Sequence, residues 1–121
     1  RTSIRKGQKK MGKYGQIAVK AAKYIQKGKT PRVAWEIASC EIFEPGSSSQ
    51  VKGCPRNAFI GLYGGSGKNA EYAQKALAYL KSHPNKYITE FELWGIVMSG
   101  EVKAYNHQMD VVLALYREDL I

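Results

Sequence analysis

Gly53-Cys54-Pro55-Arg56-Asn57-Ala58-Phe59-Ile60-Gly61-Leu62-Tyr63-Gly64-Gly65-Ser66-Gly67 is the stretch whose reading decides the fold. Pro55 presets φ and suits the first position of a helix. Ala58, Phe59 and Leu62 recur at helical spacing on one side, and Gly64, Gly65 and Gly67 then release the backbone. The expectation is a short, central, buried helix. Its start would carry the Cys54 thiol and the Arg56 guanidinium, where unpaired backbone N–H groups favour anions.

Toward the amino terminus the periodicity stays helical. From Met11, residues Tyr14, Ile17, Ala18, Ala21 and Ile25 gather on one side of a wheel, and Lys13, Gln16, Lys20, Lys23 and Lys27 on the other. Gly28 can end this helix, and Thr30-Pro31 supplies a cap and a first position for the next, expected over about Pro31 to Phe43. Val33, Ala34, Ile37, Ala38 and Cys40 make its apolar arc, with Glu41 in the middle. A carboxylate there must be paired or exposed. Pro45-Gly46-Ser47-Ser48-Ser49 reads as a surface loop.

Toward the carboxyl terminus, Gly64-Gly65-Ser66-Gly67-Lys68 invites comparison with a phosphate-binding loop. It fails, because Leu62 holds the first glycine position and Asn69 the Ser/Thr position, so a flexible helix connection is expected. A helix over Asn69 to Ser82 follows, with Ala73, Ala76, Leu77 and Leu80 inward and Glu71 and Lys75 as an i,i+4 pair. Thr89-Glu90-Phe91-Glu92 is a capping box, with Ile88 and Leu93 placed as a hydrophobic staple, and predicts a helix to about Met98. Gly100 can cap its end, and Asn106 is expected to cap a last helix with Met109, Val112, Leu113 and Tyr116 inward. The expected class is all-α, a bundle of five or six short helices in one domain over 11–121. The competing reading is α+β, with a β-hairpin over 87–105 resembling a winged helix.

The 121 residues suffice to bury a core without disulfides or metals, and the longest apolar run, Val111 to Tyr116, is far too short to span a membrane. No secretory signal pattern is recognised, so a cytoplasmic protein is expected, with Cys40 and Cys54 reduced. The net charge of +9 is uneven: residues 1–35 carry eleven Lys or Arg and no acid, whereas residues 36–121 carry eight basic and ten acidic residues. Residues 1–10 hold five of those cations and no apolar period, and read as a mobile basic arm. Met11-Gly12-Lys13-Tyr14 resembles a translation start, so the arm is either an upstream extension or an expression remnant.

The Cys54 to Leu62 motif, together with Gln108-Met109-Asp110-Val111-Val112-Leu113-Ala114-Leu115, resembles a family of small bacterial domains of unassigned function. The resemblance would cover about Met11 to Ile121 and implies no activity, ligand or partner.

Several constellations could carry chemistry. Cys40, Cys54, His83 and His107 lack metal-ligand spacing, and no metal or cofactor is expected. Cys54 beside Arg56 could be a nucleophile with His107 as a distant base. The commoner fate of such a cysteine is inert packing. Glu41, Cys54, Arg56 and Asp110 form the candidate pocket, walled by Trp35 or Trp94. Arg56 between two carboxylates is more often a structural brace. Lys13, Lys20, Lys23 and Lys27 are the candidate nucleic-acid contacts, although such a stripe is usually a solvated face. A binding module for nucleic acid or an acidic protein surface is therefore ranked ahead of a small enzyme or ligand-binding domain.

Overall fold

In a computed structural model, which describes residues 11–121, six helices follow one another and no strand is present among the described residues. They are α1 (Lys13–Gln26), α2 (Pro31–Ile42), α3 (Gly53–Gly61), α4 (Lys68–Ser82), α5 (Glu90–Met98) and α6 (Gln108–Arg117). The all-α expectation holds and the hairpin alternative does not form, since residues 90–98 are helical. The basic arm lies outside the described residues.

Local signals set most boundaries. The Thr30 side chain accepts from the Val33 N–H at the start of α2. At α5 the Thr89 hydroxyl accepts from the Glu92 N–H, and the Glu92 carboxylate accepts from the Thr89 N–H. Gly28, at φ 101°, lies just beyond α1 in the left-handed conformation that glycine adopts without strain.

Three expectations need correction. First, α3 starts at Gly53, so Pro55 is its third residue and not its first. That is tolerated because the opening N–H groups of a helix have no intrahelical acceptor. Second, the Lys75 ammonium donates to the Val97 carbonyl at 3.3 Å and makes no ion pair with Glu71; it ties α4 to α5 instead. Third, the connector after α3 is held by the Gln74 amide, which donates to the carbonyls of Gly61 and Gly65.

The core has two lobes. Tyr14, Ile17, Ala18 and Ala21 of α1 pack with Ala34, Trp35 and Ala38 of α2. Tyr72, Ala73, Ala76 and Leu80 of α4 pack with Leu93, Trp94 and Val97 of α5. Two helices belong to both lobes. From α3, Phe59 enters the first and Ala58 the second; from α6, Val111 and Leu115 enter the first while Met109, Val112 and Leu113 enter the second. The centre is therefore shared: α3 is central, but α6 is apolar almost all round and buried from Val111 to Tyr116, as such a helix must be. Of its residues, Asp110 and Arg117 stay half-exposed.

Candidate functional site

Packing α1 through its apolar stripe leaves Lys13, Lys20, Lys23 and Lys27 exposed on the opposite face, with Lys29 and Arg32 exposed at the turn into α2. No acidic residue occurs between Met11 and Trp35. Two of these cations lie over aromatic rings: Lys13 Nζ is 5.6 Å from the Phe43 centroid and Lys27 Nζ is 5.9 Å from that of Tyr24. Lys20 is different. It pairs at 3.4 Å with Glu41, whose carboxylate also accepts from the Tyr24 hydroxyl at 2.6 Å. That bond, and then the Lys20 charge, holds the Glu41 carboxyl below the usual carboxylate range. Glu41 thus pairs with one member of the lysine stripe.

The four residues of the candidate pocket do not form one bonded constellation. Glu41 is bonded to α1. Cys54, at the start of α3, is a half-buried free thiol. Arg56 makes no ion pair within 4 Å among the described residues, and its Nε reaches only the neighbouring Asn57 carbonyl, at 3.5 Å. Asp110 is bonded to Tyr105 and His107. The two tryptophans are core residues: Trp35 packs against Phe59, and Trp94 is buried with its indole N–H donating to the Lys103 carbonyl. Among the described residues no three His, Cys, Asp or Glu side chains gather as a metal site would need.

The structure builds a different cluster, at the start of α6. His107, and not Asn106, precedes the helix, in the left-handed conformation at φ 70°. Its side chain does not cap. The Tyr105 hydroxyl does so instead, accepting from the Asp110 N–H at 2.9 Å while donating to the Asp110 carboxylate. The other carboxylate oxygen lies 2.9 Å from His107 Nδ1. An ionised Asp110 can only accept, so Nδ1 carries the proton and the second imidazole nitrogen is left over. Burial, and then the Asp110 carboxylate, push the Tyr105 phenol far above its usual range, so it remains a donor. The ring of His107 also lies 4.7 Å from that of Tyr14 on α1, whose hydroxyl donates to the Ser49 carbonyl. The sequence carries a trace of this, since His107 and Asp110 have the three-residue spacing of a reciprocal cap; Tyr105 lies outside that window. Tyr105→Phe should lower the unfolding free energy by about 1–3 kcal/mol, because the Asp110 N–H loses its acceptor and the carboxylate keeps only its bond to His107. Chemical denaturation of the variant beside the parent measures it.

The six-helix fold with these two surface features defines a small helical domain, and the chain belongs to DUF6979, a family of unknown function that matches it over residues 11–65 and 61–121. No curated protein and no solved structure matches it. Among the described residues no helix is long and apolar enough to cross a membrane.

Proposed function

We propose that this domain is a non-enzymatic binding module of the cytoplasm whose α1 face contacts nucleic acid. The observation that carries the reading is that α1 spends its whole apolar stripe on α2 and α6 and leaves a face of exposed lysines with no acid from Met11 to Trp35. Clustered cations of this kind neutralise phosphates and release condensed counterions. Phe43 and Tyr24, beside Lys13 and Lys27, add ring surface to that charge. Two free thiols, Cys40 and Cys54, are compatible with a reducing compartment. An enzyme built on Cys54, Arg56 and Asp110 receives less support, since Asp110 is bonded to Tyr105 and His107 and not to Arg56.

Because Glu41 occupies Lys20, duplex DNA should be met by Lys13, Lys23 and Lys27. The log–log slope of affinity against salt should lie near −3 for that face. Glu41→Gln frees Lys20 and should steepen the slope by about one unit while tightening binding at low salt. Fluorescence anisotropy over a salt series reads both. An unchanged slope in Glu41→Gln, or tight binding only to an acidic protein and not to DNA or RNA, would defeat the nucleic-acid reading.

A further inference from the structure

A continuous run of ring contacts leads away from Lys13, the first residue of α1, to the outer face of α5. Lys13 lies over Phe43; Phe43 is 5.2 Å from Tyr14, Tyr14 is 4.7 Å from His107, His107 is 6.0 Å from Tyr105, and Tyr105 is 5.3 Å from Phe91, centroid to centroid. Tyr14 is a buried support, Phe43 and Tyr105 are half-buried, the His107 side chain is 44% exposed, and Phe91 is 73% exposed. Apart from its contact with Tyr105, the Phe91 ring lies in solvent and adds nothing to the buried face of α5. Three carboxylates beside the run are engaged within the protein, while Glu44, next in sequence to Phe43, is exposed. Glu90 accepts from Arg117, Glu92 closes the cap of α5, and Asp110 holds Tyr105 and His107.

We infer that the partner of the basic face is single-stranded nucleic acid, whose phosphates meet the α1 lysines and whose unpaired bases stack on the row that ends at His107 and Phe91. This rests on the proposed function and deepens it by naming the substrate class. A cationic surface alone does not distinguish duplex from single strand, but exposed rings do, because only an unpaired base offers its face. His107 adds a fixed polar edge. Asp110 holds Nδ1, and the other ring nitrogen has no partner among the described residues and can bond a base edge or a sugar hydroxyl.

The test uses the full chain and an oligo-deoxythymidylate of about 12 nucleotides, within the span such sites cover, beside a duplex of equal length. The single strand should bind at least fivefold more tightly. Phe91→Ala should weaken single-strand binding by about five- to a hundredfold, leave duplex binding unchanged and leave the salt slope unchanged; Phe91→Trp should restore affinity. Lys13→Gln should weaken both ligands and flatten both slopes. Phe91 is exposed enough that its removal spares the core, and a circular dichroism melt confirms this. If Phe91→Ala binds the single strand as the parent does while Lys13→Gln weakens it, the stacking row is overturned and the basic face stands. Duplex binding as tight as single-strand binding also overturns the stacking row. If neither oligonucleotide binds, the proposed function fails and this inference falls with it.

Discussion

Phe59→Ala should lower the unfolding free energy by about 3–5 kcal/mol, the range for emptying a large aromatic site in a packed core. Phe59 is fully buried, sits against Trp35 at 5.2 Å and Tyr63 at 5.0 Å, and anchors α3 in the lobe formed by α1, α2 and part of α6. Its loss removes the ring that Trp35 packs on, and the cavity opens where α3 joins α6, so neighbouring helices can collapse into it only by moving apart elsewhere. Urea denaturation at neutral pH measures the change. A loss below about 1 kcal/mol, the size of an ordinary surface substitution or little more, would show that α3 is peripheral.

Gly61→Ala should be similarly costly, at least about 3 kcal/mol, at or beyond the top of the usual range for overpacking. A Cβ at Gly61 would stand 2.5 Å from the Ala70 Cβ and closer still to its Cα, so the obstacle is the α4 backbone and not a side chain that can swing away. The helices must separate. Gly95 on α5 is the internal contrast: a Cβ there meets nothing within 4 Å, and Gly95→Ala should stabilise by about 0.5–1 kcal/mol through helix propensity and a less flexible unfolded chain. Equal effects at the two positions would contradict the close approach of α3 and α4.

What could be read from the sequence was what is encoded locally. Thr30-Pro31 and Thr89 to Glu92 specify helix starts within four residues, and the structure forms both caps as expected. The start of α6 was misread because its capping hydroxyl comes from Tyr105, upstream of a left-handed His107, and no short-range rule points from Asn106 to it. The apolar run Val111 to Tyr116 is buried on all sides, whereas helical spacing alone points to one inner face, because α6 packs into both lobes of the core. A carboxylate at Glu41 must be paired or exposed; that its partners are Lys20 and Tyr24 depends on how α2 packs on α1, and this ties a residue of the candidate pocket to α1. Cys54 and Arg56 lie near the start of α3, as their place beside Pro55 implies, but which charges meet is decided by tertiary packing alone.

Residues 1–10 carry five cations beside those of α1. The direct measurement is single-strand affinity across a salt series for the chain beginning at Met11, compared with the same chain carrying Lys13→Gln, Lys23→Gln and Lys27→Gln together. Retained binding with a salt slope near −2, as three single-strand phosphate contacts require, and its loss in the triple variant is the predicted result. Binding that disappears once residues 1–10 are removed, or that survives the triple substitution with its slope intact, would contradict the assignment of α1 as the binding face.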